Sequence, residues 1–312
     1  MYLTRQVKAV LDLYDGERPG VKAHLARMLM NGRTGGSGKL LVLPVDQGFE
    51  HGPARSFAVN PEAFDPRYHF ELGIDAQVSA LAAPVGFLST CADRFAGTIP
   101  LILKANHSNN LTPAKDQAIT ATVRDALELG CSAIGYTIYP GSDFQYEMFE
   151  EVREGIARAR EVGLPVMLWA YPRGGAISKD GETALDVVSY AAHIAALLGA
   201  HIIKVKPPTE RIEFEESRLS YDALGRDFSK LQERVRHVVE SALGGRRIVL
   251  FSGGPARSLD AIYSEVRAIA AGGGGGSIIG RNSFQRPKPE ALAMLESIAN
   301  AYLADTGEEP FR

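Results

Sequence analysis

"AHIIKVKPP", residues 200 to 208, is composed like a buried strand yet carries Lys204 and Lys206. Side chains alternate across a strand with a period of two. Ile202, Lys204 and Lys206 therefore share one face, and Ile203 and Val205 the other. Burying an ammonium group is unfavourable unless it is paired or loses its proton, and a second one nearby compounds the problem. A fold that accepts this pattern has to offer the lysine face something other than a dry core.

Similar short apolar runs recur along the chain. They are "LLVLPVD" (40–46), "AQVSALAAP" (76–84), "PLILKANH" (100–107), "CSAIGYTIY" (131–139), "PVMLWAYP" (165–172), "RIVLFSGGP" (247–255) and "GSIIGRN" (276–282). With 200–207 they make eight strand candidates. Between them lie stretches of helical composition such as "TPAKDQAITATVRDALELG" and "FEEVREGIARAREVG", each ending in Gly, the usual helix stop. Strands alternating with helices indicate a parallel sheet, and eight such units indicate a closed (β/α)8 TIM barrel. An open doubly wound sheet would place its glycine-rich turn after the first strand, whereas the glycine-rich turns here follow the last two. Residues 1–36 precede the first strand and read as an N-terminal helical extension, fit to cap the barrel bottom or to serve an interface. The whole of 1–312 reads as a single domain. The run "GGGGG" (272–276) falls between a helix and a strand and reads as a tight loop, not a linker.

Composition sets the class. Of 312 residues, 45% are hydrophobic and 23% charged, the balance of a soluble globular protein. A net charge of −3 argues against a nucleic-acid partner. No apolar run approaches the roughly 20 residues of a membrane span, and the first residues lack the apolar core of a signal peptide. The two cysteines, Cys91 and Cys131, follow no metal-ligand spacing and read as reduced, buried thiols. A cytoplasmic location is expected.

In a barrel of this type the chemistry sits at the C-terminal ends of the strands. Alternation then groups Val42, Pro44 and Asp46 on strand 1, Ile102, Lys104 and Asn106 on strand 3, Trp169 and Tyr171 on strand 5, and Lys204 and Lys206 on strand 6. Asp46, Lys104, Trp169, Tyr171, Lys204 and Lys206 are expected to converge on one cavity. A lysine desolvated there, or set beside another cation, yields its proton readily and becomes a nucleophilic amine suited to Schiff-base chemistry. Tyrosine can act as general acid/base. Strand 7 ends in Ser252-Gly253-Gly254 and strand 8 in Gly280-Arg281. Loops after the last two strands of such barrels recurrently hold phosphate, glycine letting backbone N–H groups approach and arginine adding a bidentate contact.

With these residues in view the sequence resembles the archaeal-type class I fructose-1,6-bisphosphate aldolase family. The matching motifs are "LPVDQGFEHGP", "LWAYPRGG", "GAHIIKVK", "FSGGP" and "IIGRNSFQRP", in order over roughly residues 38 to 304. The resemblance implies that Lys204 forms the Schiff base, Tyr171 is the general acid/base and Asp46 contacts the substrate near the reacting carbons. It implies that Trp169 lines the site and that Lys206 tunes Lys204 or binds phosphate; Lys104, from its place on the inward face of strand 3, is expected as a further substrate contact. Ser252, Gly253, Gly254, Gly280 and Arg281 would hold the phosphate nearest the ketone. It further implies a phosphorylated sugar substrate, no cofactor, no metal, and a homo-oligomer such as a decamer of pentameric rings. After the strand-6 lysines the chain departs from many relatives, continuing "PPTERIEFEES".

Rival readings are a related Schiff-base aldolase, transaldolase or thiolase acting on another phosphorylated keto compound, and a non-catalytic phosphate-binding barrel. A zinc aldolase would need clustered ligands, but His51, His107, His193 and His201 are scattered. His24, His69 and His237 fall in helical segments and read as surface or interface residues, and His201 as a residue of the barrel bottom.

Overall fold

In the computed structural model, which describes residues 2–253 and 258–306, the eight apolar runs form eight parallel strands closed into a barrel. They are β1 (Leu40–Pro44), β2 (Ala80–Pro84), β3 (Leu101–Lys104), β4 (Ala133–Ile138), β5 (Val166–Ala170), β6 (Ile202–Val205), β7 (Ile248–Ser252) and β8 (Gly276–Ile278). Closure joins β8 to β1 with Leu40 opposite Gly276. Each strand is shorter than its apolar run, because the run's ends are spent entering and leaving the barrel. Among the described residues no helix is long and apolar enough to cross a membrane.

Alternation sorts the strand residues into two separate cores. Leu40, Val42, Ala80, Ile102, Met167, Trp169, Ile202, Leu250 and Ile278 pack together inside the barrel. Leu41, Leu43, Leu81, Leu103, Leu168, Ile203, Val205 and Val249 pack outward against the helices. Room for the Trp169 ring comes from Gly135 on the neighbouring strand, where an added Cβ would fall 2.2 Å from the indole.

The helices Arg5–Asp12 and Pro19–Leu29 lie across the bottom. Thr4 caps the first through its side chain, and Pro19 opens the second at a position where its missing N–H loses nothing. Their Val7, Leu11, Val21 and Leu25 join the interior core, so the barrel is plugged from below. Tyr14, on the turn between them, donates to the carbonyl of His201 and accepts from the N–H of Ile248 at 2.9 Å. It ties the entries of β6 and β7 to the plug.

Two expectations need correction. The segment 112–130 is helical only over Val123–Glu128, begun by a Thr122–Asp125 capping box. Ahead of it, Ala118–Ile119 pairs antiparallel with Asn106–His107, a tertiary ladder that overrides local helical composition. His69 is not a surface residue. It is fully buried, its Nε2 lies 2.7 Å from the Ala63 carbonyl, and burial lowers its pKa to about 4.

The glycine run lies at the bottom, opposite the mouth. Gly272 ends the helix Leu259–Ala271, and Gly276 enters β8 with φ 137°, where a Cβ would stand 1.9 Å from the Leu40 carbonyl oxygen. Gly273, at φ 82°, meets nothing within 4 Å. Gly276→Ala should therefore destabilise the fold by more than about 2 kcal/mol, with Gly273→Ala near 1 kcal/mol from its backbone angle alone. Urea midpoints of the two variants check the contrast, and equal losses would show that the close approach at Gly276 is relieved by a backbone shift.

Candidate active site

Lys204 stands on the inner face of β6, 6% exposed, beside Trp169 on β5. Its Nζ lies 5.0 Å from the Tyr171 ring centroid and 5.9 Å from that of Trp169. Burial lowers the Lys204 amine to a pKa of about 8; Asp46 and Glu50 oppose the shift, and Arg281 and Lys206 add to it. An amine so placed is substantially neutral near pH 8 and free to attack a carbonyl. Tyr171 is moved the other way: burial first, then the Asp46 charge, hold its phenol well above the ordinary range.

These groups face a cavity of about 440 Å³ at the C-terminal end of the barrel. Asp46, Tyr171, Lys204 and Lys206 line it from β1, β5 and β6. Ser252, Gly253, Gly280 and Arg281 line it from the ends of β7 and β8. Gly254 lies outside the described residues. Asp46 occupies the N-cap position of the helix Gln47–His51, yet its side chain makes no capping bond, which leaves the carboxylate to the cavity. Gly280 has to be glycine: a Cβ there would reach 2.8 Å from the Pro44 carbonyl. Asn282 joins the two late loops by donating from Nδ2 to the Gly253 carbonyl at 3.2 Å.

Three further lysine and tryptophan positions differ in kind. Lys206 is partly exposed and paired with Glu182 at 3.1 Å, a carboxylate that Lys179 also holds at 2.9 Å. Trp169 is 1% exposed and forms the floor beneath Lys204. Lys104 is 2% exposed and lines a second, small chamber behind the cavity wall.

Sequence reasoning missed Glu50, Arg173 and Arg55, all of which line the cavity. Arg173 reaches Glu50 at 3.3 Å, and its guanidinium lies 4.7 Å from the Tyr139 ring centroid and 5.6 Å from that of Tyr171. The signals were present. Glu50 follows Asp46 by four residues, one helical turn, and Arg173 follows Tyr171 by two. Among the described residues no three His, Cys, Asp or Glu side chains are grouped so as to hold a metal ion.

Replacing Glu50 by Gln removes a charge that favours the Lys204 ammonium. The pKa of Lys204 should then fall below about 8, so that the pH midpoint for reductive trapping of a small aldehyde on this lysine moves down. A midpoint that stays or rises would show that Glu50 does not act on Lys204 through charge.

Comparison with known proteins matches residues 40–286 to the model of the DeoC/LacD family aldolase. The chain is 37% identical over 294 residues, 90% of itself and 84% of the relative, to the "Probable fructose-bisphosphate aldolase class 1" of Chlamydia muridarum. It is 36% identical over 264 residues to the class 1 fructose-bisphosphate aldolase of Thermoproteus tenax, covering 84% of this chain and 89% of that one. Among solved structures it resembles an archaeal fructose-1,6-bisphosphate aldolase whose catalytic lysine is covalently bound to the carbinolamine intermediate of the substrate. That match has 31% identity, a TM-score of 0.73, and coverage of 89% and 98% of the two chains.

Proposed function

The chain belongs to the DeoC/LacD family of aldolases, and we propose that it is a class I fructose-1,6-bisphosphate aldolase with Lys204 as its Schiff-base lysine. The observation that carries this reading is the Lys204 amine, buried, depressed to about 8 and set against Tyr171 in a cavity walled by Gly253, Gly280 and Arg281.

The neutral amine attacks the ketone carbon of the bisphosphate and forms a carbinolamine. Loss of water gives a protonated imine. The imine accepts the electron pair released as the C3–C4 bond breaks, while Tyr171 takes the C4 hydroxyl proton and glyceraldehyde 3-phosphate leaves. Protonation of the enamine and hydrolysis release dihydroxyacetone phosphate and restore Lys204. The condensation runs the same steps in reverse.

A bisphosphate needs cations at both ends of the cavity. Arg281, with the backbones of Gly253 and Gly280, suits the phosphate nearest the ketone, and Arg55 and Arg173 suit the far one. Lys206, held by Glu182, contributes positive charge near Lys204 without being its equal in burial. The reading includes a cytoplasmic homo-oligomer, for which sedimentation of the purified chain is the check.

Borohydride reduction with dihydroxyacetone phosphate, followed by peptide mapping, should place the adduct on Lys204, and Lys204→Met should abolish it. Tyr171→Phe should retain adduct formation while kcat falls about 10²–10⁴-fold. An adduct on Lys206 would keep the chemistry and overturn the residue assignment. Binding without any adduct would identify a barrel that only holds its ligand.

A further inference from the structure

Tyr171 sets a problem for its own role. A phenol that keeps its proton can accept another only if it passes the first one on. Behind it lies a chamber of about 20 Å³, and Asp46, Glu50 and Tyr171 line both this chamber and the main cavity. The rest of the chamber is polar: Lys104, His107, Ser108, Gln117, Thr137 and Tyr139. About 10–15 Å³ suffices for one water when two or more polar partners are at hand.

Two chamber groups have capacity to spare. Lys104 donates to the backbone carbonyl of Asn106 and to its Oδ1, the latter at 2.8 Å. Asn106 is itself fixed to Thr137 on β4, accepting at 2.6 Å and donating at 2.8 Å. These bonds use two of the nitrogen's positions and leave one. His107 is 6% exposed, stacked under Phe49 at 4.4 Å, and its Nε2 has no partner among the described residues. The Thr120 hydroxyl lies 2.7 Å from His107 Nδ1 and 3.3 Å from the Ala105 carbonyl, and the relay requires its hydrogen to go to the carbonyl so that its oxygen accepts from Nδ1. The ring proton is then on Nδ1, and Nε2 is a bare acceptor.

We propose that this chamber holds one water that links Tyr171 to Lys104, and that Lys104 is the reservoir which stores the substrate proton between bond cleavage and enamine protonation. The inference rests on the aldolase reading above. As C3–C4 breaks, the C4 hydroxyl proton moves to the Tyr171 oxygen and the phenolic proton passes to the water. The water gives one of its own protons to the Lys104 amine, which becomes ammonium, while His107 Nε2 orients the water by accepting its other hydrogen. Enamine protonation at C3 returns the proton along the same path, so each turnover closes without an outside acid. Lys104 touches no substrate atom and is a positioning residue for the proton.

The charges around Lys104 suit this task. Asp46 and Glu50 face it from the β1 end, Lys204 from β6, Tyr171 from β5, Tyr139 from β4 and His107 from its own strand extension. Burial, opposed by the two carboxylates, brings the amine to a pKa of about 7, and burial lowers His107 to about 2, so the imidazole stays neutral.

The test separates the two lysines through pH. In the imine, Lys204 no longer titrates, so an acid limb in kcat near pH 7 reports Lys104, whereas kcat/KM also carries the free Lys204 near 8. Lys104→Met should keep borohydride trapping on Lys204, lose about 10²-fold or more in kcat, and lose the kcat limb near 7. Unchanged kcat, or a reduced kcat that keeps its limb, overturns the relay. Should Lys104→Met not fold, the unaltered protein still decides. A high-resolution crystal structure should show one water within hydrogen-bond distance of His107 Nε2, and a dry chamber overturns the proposal. Failure of trapping on Lys204 in the unaltered protein would instead sink the aldolase reading itself.

Discussion

The arrangement depends on keeping two amines inside a parallel barrel. Holding Lys204 at about 8, from an ordinary 10.5, corresponds to roughly 3 kcal/mol of disfavoured charge, and Lys104 is held lower still. The two carboxylates at the end of β1, Asp46 and Glu50, limit that penalty by favouring the charged forms of both lysines. Arg173 in turn holds Glu50 in place at 3.3 Å. Burial lowers both amines while the carboxylates stop them from becoming permanently neutral. The result is a pair of groups that change charge near neutral pH, which acid–base work requires.

The same constraint separates the floor of the site from its walls. Trp169 fills the barrel below Lys204, made possible by the missing side chain at Gly135. Above it the polar groups come from strand ends and loops, where water and ligand can reach them. The segment "PPTERIEFEES" after β6 is firmly placed. The Asp186 carboxylate accepts from the N–H groups of Glu213 and Phe214 at 2.9 and 3.0 Å, and Thr209 donates to the Thr183 carbonyl at 2.7 Å. The loop after β5 and the loop after β6 are thereby one wall, with the Glu182–Lys206 pair at its inner edge.

What could be read from the sequence follows the reach of the period-two rule. It holds along a strand, so the inward faces of β1, β3, β5 and β6 were legible, and with them Lys104, Trp169 and Lys204. It ends where the strand ends. Arg173 lies three residues past the close of β5, and Glu50 is on a short helix after β1, so each was visible only by extending a periodicity beyond its element. Which polar residues face the main cavity and which face the chamber behind it was not legible at all. That depends on side-chain direction around Tyr171, not on spacing. The segment 112–122 misled because its composition suits a helix while its partner, Asn106–His107, is supplied by another part of the chain. His69 misled for the opposite reason, a polar residue whose single bond to Ala63 suffices for burial among aromatic rings.

The Tyr14 tie has a bearing on how the chain reaches this state. Its partners, His201 and Ile248, lie 187 and 234 residues further along. A ribosome delivers the plug helices long before β6 and β7 exist to receive them. Until then the plug residues can meet only the earlier strands of their core, such as Leu40, Val42 and Ala80, and the Tyr14 hydroxyl has neither partner. Contacts of such separation form late and slowly, because the loop entropy is lost before the contact is gained. The segment made first thus waits for the sixth and seventh strands before its Tyr14 bonds can form.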